Sequence, residues 1–216
     1  ILYEVITMKI ALIGYKGKTG SKVYKELLDN NYEVIAIDKD GVLLSHVIQE
    51  VDLVIDFTNK HAALKHIFIC LDNLKPFIVG TTGFSYDELA IIKSKCNLLK
   101  VKGVVCYNFS LPLLLIIKMI KPLSNYFENI NYFDIHHISK LDKISGTTYL
   151  FMLQNSKIKL KSYKTDKNNI TYVVQMASKY DKLVLSYQIN DKIVFAKGLV
   201  NYLNSQDDSM IINLLE

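Results

Sequence analysis

The stretch "KIALIGYKGKTG" (residues 9–20) sets the reading of this chain. Ile10, Ala11, Leu12 and Ile13 form an unbroken apolar run, as in a strand buried on both faces. Gly14, Gly17 and Gly20 then recur at intervals of three. Beyond them Val23, Leu27 and Leu28 return at helical spacing, with Tyr24 beside them. A strand, a glycine turn and a helix is the context a dinucleotide fingerprint requires. The glycines let the backbone approach a pyrophosphate, and the helix N-terminus offers N–H groups and a positive dipole end. A tight strand-to-helix turn with no ligand would use the same residues.

The pattern continues outward. "YEVIAIDKDG" (32–41) reads as a second strand ending in acid, and "VDLVIDFTN" (51–59) as a third. A helix capped by Thr58 or Asn59 follows through "HAALKHIFICL". "KPFIVGTTG" (75–83) reads as a fourth strand. Ser85 and Glu88 have the spacing of a capping box before "LAIIKSK", and "LLKVKGVVCYN" (98–108) holds a fifth strand. Strands alternating with helices predict an α/β fold with a Rossmann-like, doubly wound parallel sheet.

After Asn108 the pattern changes to a smaller α+β domain with a mixed or antiparallel sheet. "LPLLLIIKMIKPLSNYF" (111–127) reads as an apolar helix with Pro112 in its first turn. "NINYFDIHHIS" (129–139) reads as a strand and "SGTTYLFMLQN" (145–155) as a helix. "ITYVVQMAS" (170–178) and "KLVLSYQIN" (182–190) read as a hairpin, and "IVFAKGLVNYLN" (193–204) ends as a helix. The Lys/Asn-rich "KIKLKSYKTDKNN" (157–169) is the candidate flexible loop. Residues 1–7, "ILYEVIT", stand outside the fold argument.

Composition narrows the function classes. Half of the 216 residues are apolar, yet no run reaches the length of a membrane span, and no signal peptide is evident. The chain reads as soluble and cytoplasmic. Cys70, Cys96 and Cys106 lack metal-ligand spacing and read as reduced, buried thiols. The net charge of +5 is spread over scattered lysines, which gives no nucleic-acid patch. Every one of the 26 basic residues is lysine. Any bound anion must therefore be held by ammonium, hydroxyl or backbone N–H, without a guanidinium fork.

Two further stretches carry candidate chemistry. Asp38 closes the second strand about twenty residues after the glycine turn, where an acid meets the adenosine ribose hydroxyls and favours NADH. Lys39 beside it would accommodate the extra phosphate of NADPH. "GTTG" (80–83) lies at the carboxyl end of a parallel strand, where such sheets bind ligands. Both stretches also read as ordinary polar turns.

"HHISKLDKISGT" (136–147) concentrates two of the five histidines with a lysine, an aspartate and a Ser-Gly-Thr helix start. Successive strand residues face opposite ways, so one of His136 and His137 faces a site and the other packs or lines its edge. Lys140 would bring a cation near His136, and Asp142 would orient it. Ser145, Gly146 and Thr147 open a helix whose N–H groups suit a carboxylate. No third and fourth ligand stand at metal-site spacing.

This cluster resembles the H-H-x-x-K-x-D-x-P-S-G-T stretch of the dihydrodipicolinate reductase family, with Ile144 in place of the proline. "IALIGYKGKTG" is similar to the family's cofactor loop, "DLVIDFTN" to its third strand, "VGTTGF" to its nicotinamide-side turn and "YNFS" to its hinge. "FAKG" matches the run into the final helix. The resemblance spans residues 8 to about 203. It implies an NAD(P)H-dependent reductase of the lysine/diaminopimelate route, acting on a cyclic imine dicarboxylate. His136 would be the proton donor, assisted by Lys140. His137, Ser145, Gly146 and Thr147 would hold substrate carboxylates. NADH or NADPH would contact Gly14, Lys16, Gly17, Lys18, Thr19, Gly20, Asp38, Lys39, Phe57, Gly80, Thr81, Thr82, Tyr107, Asn108, Phe109 and Lys192.

The resemblance also implies a dinucleotide-binding domain at 8–108 and 192–216, a substrate-binding and oligomerisation domain at 109–191, and a homotetramer. Pro112, Ile144, Tyr187, Lys192 and the stretch 164–175 depart from the family pattern. These departures keep open an alternative, a nucleotide-binding regulatory homologue with weakened catalysis.

Overall fold

The computed structural model describes residues 8–39, 41, 43–138, 145–155, 157–166 and 169–216. The chain divides into two compact units. The first takes in the chain up to Phe109 together with Phe195–Glu216, and the second is Ser110–Val194.

In the first unit the elements are β1 (Lys9–Ile13), α1 (Gly20–Asp29), β2 (Glu33–Ile37), α2 (Leu44–Val47), β3 (Leu53–Asp56), α3 (Lys60–Asp72), β4 (Phe77–Val79), α4 (Tyr86–Leu99) and β5 (Gly103–Val105). The strands form one parallel sheet in the order β2-β1-β3-β4-β5. Every residue of β3, β4 and β5 is buried, as are four of the five in β1. Burial at successive positions means both faces are covered, which explains the unbroken Val/Ile/Leu runs. Strand order reverses around β1, because β2 lies on one side and β3 on the other. The carboxyl ends of β1 and β3 therefore flank the switch point.

Local signals set the helix starts. Asn59 caps α3, its side chain accepting from the Ala62 N–H, so of the two candidate caps the structure uses Asn59. Ser85 and Glu88 form the expected capping box on α4. Two boundaries differ from the sequence reading. β2 ends at Ile37, which leaves Asp38 just past the strand, and α2 arises in a stretch where no helix was expected.

In the second unit the elements are α5 (Leu111–Leu123), β6 (Asn129–His137), α6 (Gly146–Gln154), β7 (Lys159–Thr165), β8 (Ile170–Ala177) and β9 (Lys182–Ile189). The sheet order is β7-β6-β8-β9, with β6/β7 parallel and the other pairs antiparallel. Burial alternates cleanly along β6, and Ile130, Tyr132, Asp134 and His136 share the buried face. Tyr132 packs on Phe151 of α6 with ring centroids 4.2 Å apart. The expected hairpin is present as β8 and β9.

The stretch 157–169 is not a loop. Residues 159–165 form an edge strand paired to β6. Most of that strand is exposed, and lysines stand at 159, 161 and 164. Polar residues on both faces remove the period-2 signal, and an edge rich in lysine also discourages pairing with another chain.

Helix α7 (Ile193–Ser205) carries Gly198 against the backbone carbonyl of Phe109, where any Cβ would collide. The following tail runs beside β5. The Leu214 N–H donates to the Val105 carbonyl (2.9 Å), and the Asn213 side chain bonds the backbone of Val105 and Gly103. The free edge of the parallel sheet is thereby covered.

Candidate functional site

The glycine turn joins β1 to α1 at the switch point. Gly14 has φ +83°, in the left-handed region, and a Cβ there would stand 2.8 Å from the Phe57 carbonyl oxygen. A Cβ on Gly20 would strike the Gly14 carbonyl. The turn therefore needs glycine at both positions, and it folds tightly enough for the Gly17 N–H to reach the Gly14 carbonyl at 3.0 Å.

Beside the turn lies a cavity of about 410 Å3, whose lining includes Gly14, Gly17, Asp38, Lys39, Phe57 and His66. Asp38 accepts from the Lys39 N–H at 2.8 Å, and Lys16 Nζ stands 3.9 Å from its other oxygen. Lys16 and Lys18 are exposed, and Thr19 occupies the N-cap position of α1 without a side-chain cap bond. Volume, acid and glycine cradle fit the adenosine and pyrophosphate portion of a dinucleotide.

The other expected cofactor residues divide. Gly80 must lack a side chain, because a Cβ would strike the Phe57 ring. Thr81 is buried and Thr82 exposed. Tyr107, Asn108 and Phe109 are buried, and the Tyr107 hydroxyl accepts from the Phe84 N–H at 3.1 Å. Lys192 is half-buried in the second unit.

Sequence reasoning missed Asp56. This residue ends β3 and is 1% exposed. Its Oδ1 accepts from the Thr58 N–H at 2.7 Å, from the Thr58 hydroxyl at 2.6 Å and from the Thr81 hydroxyl at 3.4 Å. His66 Nδ1 meets its Oδ2 at 2.6 Å. An acid closing an otherwise apolar strand was the available signal.

In the second unit, β6 remains regular through its last residue. His136 lies on the buried face at 5% exposure, and His137 lies on the opposite face, half-buried. His136 Nε2 stands 3.3 Å from Asp134 Oδ2. That same oxygen accepts the Thr148 hydroxyl at 2.8 Å and the Ser145 hydroxyl at 3.4 Å. Ser145 caps α6 by accepting the Thr148 N–H at 3.0 Å, and Gly146 is its first residue. Thr147 Oγ1 accepts from the buried Tyr172 hydroxyl at 3.3 Å, and Tyr172 packs edge-on against His136.

The structure thus brings His136 together with Ser145 and Thr147, and sets His137 on the other side of the sheet. Lys140, Asp142 and Ile144 lie outside the described residues.

Asp134 and Thr148 were not anticipated as part of this cluster. The signal for Asp134 was its i, i+2 spacing from His136 on one strand face; Thr148 had none. Burial pushes the Asp134 pKa up, but hydrogen bonds, that from His136 foremost, and the attraction of His136 outweigh it, bringing it down to about 2. The carboxylate is therefore ionised at neutral pH. Its Oδ1 has no hydrogen-bond partner among the described residues. Among the described residues no three His, Cys, Asp or Glu side chains stand together as metal ligands, and no helix is long and apolar enough to cross a membrane.

A parallel-sheet unit with a glycine-lined cavity at its switch point, followed by a mixed-sheet unit with a buried His–Asp pair, defines a Rossmann-class nucleotide-binding fold carrying a second α+β unit. Residues 8–109 match the family model for the N-terminus of dihydrodipicolinate reductase. Over that first unit the chain is similar to the dihydrodipicolinate reductase family.

Among its relatives, the 4-hydroxy-tetrahydrodipicolinate reductase of Corynebacterium efficiens is 31% identical over 145 residues, covering 66% of this chain and 58% of that protein. The enzyme of the same name from Listeria innocua is 28% identical over 163 residues, 65% of this chain and 62% of that protein. The chain thus matches about three fifths of the length of these curated relatives. The fold is similar to that of a dipicolinate-bound dihydrodipicolinate reductase from Paenisporosarcina sp. TG-14, with TM-score 0.76, 19% identity, and coverage of 93% of this chain and 94% of that one. An aspartate semialdehyde dehydrogenase from Vibrio cholerae shares the fold more distantly, with TM-score 0.64, 10% identity, and coverage of 94% and 99%.

Proposed function

We propose that the protein is an NAD(P)H-dependent reductase of the lysine/diaminopimelate route, converting 4-hydroxy-tetrahydrodipicolinate to tetrahydrodipicolinate in the cytoplasm. The nucleotide supplies a hydride when bound. One proton must also enter, and the hydroxyl leaves as water. The first unit would hold the nucleotide on the glycine turn, with Asp38 on the adenosine ribose. The second would supply the proton from His136, with assistance from Lys140. Ser145, Gly146 and Thr147 would hold a substrate carboxylate through N–H groups and hydroxyls at the start of α6. His137 would contribute to substrate binding from the strand end.

The observation that carries this reading is one buried carboxylate, Asp134, that joins His136 to the start of α6. A proton donor and an anion cradle held on one oxygen suit reduction of a ring that bears carboxylates. The test follows nicotinamide absorbance with NADH and with NADPH on freshly generated substrate. Both turnover by the native protein and a strong fall in kcat for His136→Gln, with nucleotide affinity retained, are expected. No absorbance change with either nucleotide would refute the assignment.

We extend the reading to a homo-oligomer. The sheet face opposite His136 carries Phe133, stacked on Tyr163, and the half-exposed Val184, an apolar set suited to a second copy. Light scattering would give the subunit number, and a monomer at working concentration would refute assembly.

A further inference from the structure

Asp134 is an expensive residue to keep where it is. It is 3% exposed, on the strand face that carries Ile130 and Tyr132, and one of its oxygens has no partner among the described residues. An apolar side chain of similar size would be the cheaper solution for a packed sheet face. The other oxygen, Oδ2, gathers three donors. These are His136 Nε2 at 3.3 Å, the Thr148 hydroxyl at 2.8 Å and the Ser145 hydroxyl at 3.4 Å.

An ionised carboxylate is an acceptor only, so each partner must present hydrogen to it. For the imidazole this requires hydrogen on Nε2, whatever the charge of the ring. In the neutral ring, Nδ1 is then the nitrogen without hydrogen. The other two donors to the same oxygen, Ser145 and Thr148, are the N-cap and the third residue of α6.

Resting on the reductase reading, we propose that Asp134 is a positioning residue for the reaction. It locks His136 with hydrogen on Nε2, ties the ring to the start of α6, and so makes Nδ1 the nitrogen that delivers the proton. In that step the Nδ1–H bond of the imidazolium breaks and the proton passes to the substrate ring. The histidine is left as the neutral Nε2–H form, still hydrogen-bonded to the carboxylate.

The test has one readout that needs no catalysis. Nitrogen-15 NMR of the histidine rings, with His136 assigned by loss of its signals in His136→Gln, reports which ring nitrogen carries hydrogen. Hydrogen on Nε2 at every pH at which the protein is folded is expected. A bare, accepting Nε2 overturns the proposal even if the protein proves to be a reductase. If instead the native protein turns over no substrate while Nε2 carries hydrogen, the reductase reading fails and the structural lock stands apart from it.

The kinetic readout is the variant Asp134→Asn. A fall in kcat of about tenfold or more, part of the ~10²–10⁴-fold a general acid contributes, is expected with nucleotide affinity unchanged. Placed on the His136→Gln background, the same change should cost nothing further, because it acts through the ring that is already gone. An unchanged kcat, or losses that multiply in the double variant, overturns the positioning role. Should Asp134→Asn fail to fold by circular dichroism, Thr148→Val removes one of the three donors, and its kcat is read by the same criteria.

Discussion

His66 Nδ1 lies 2.6 Å from Asp56 Oδ2, and this contact ties the middle of α3 to the carboxyl end of β3. The same carboxylate also binds Thr58 and Thr81, so one buried side chain organises the loops after β3 and β4. Replacing Asp56 with alanine would leave those donors without their acceptor. A loss of roughly 2–3 kcal/mol is expected, the order found when buried donors are left without their acceptor. Denaturant unfolding monitored by circular dichroism measures it. A loss below about 0.5 kcal/mol, the range of ordinary surface substitutions, would show that the network does not hold the loops.

Acid should destabilise the second unit in a defined window. The folded pKa of Asp134 is about 2, below its ordinary value of 3.8. A depressed carboxylate stabilises the fold above its unfolded pKa, and that contribution is lost as pH falls from the unfolded value through the folded one. Stability should therefore drop between about pH 4 and pH 2, by on the order of 2 kcal/mol for this group. Asp134→Asn, compared with the native chain by stability measurements across that range, should flatten this part of the profile. An unchanged slope would contradict the assignment.

Nucleotide preference should follow the charges at the end of β2. Asp38 lines the cavity with Lys39 beside it and Lys16 Nζ 3.9 Å away. Asp38→Asn removes a negative charge where the 2′-phosphate of NADPH would sit. The ratio of NADPH to NADH affinity should rise about fivefold, the ~1 kcal/mol that two charges about 4 Å apart exchange near water. Fluorescence titration with each nucleotide reads the ratio. No change would move the ribose site elsewhere.

The cysteines should be inert in the folded protein. All three are buried, and burial, followed by the nearby Asp56 charge, pushes the Cys70 thiol up to about 12. A thiol without thiolate character is a poor nucleophile. Titration with a chromogenic disulfide should find little reaction before denaturation and three thiols after it. Rapid labelling of Cys70 in the native state would contradict its burial.

The amino-acid sequence by itself determined what depends on near neighbours. The strand, glycine turn and helix of residues 9–29 were legible because periodicity and glycine spacing are local. So were the capping box of Ser85 and Glu88, and the separation of His136 from His137, which needs only the two-residue period of a strand. Residues 159–165 were illegible because an edge strand exposed on both faces has no apolar alternation to read.

Only the tertiary structure decided which polar groups share a carboxylate. Asp56 meets His66 across ten residues, and Asp134 meets Ser145 and Thr148 across eleven and fourteen. These pairings follow from how β3 carries α3 and how β6 carries α6. A buried carboxylate must collect its donors from whatever packing brings within reach, and no spacing along the chain encodes that choice.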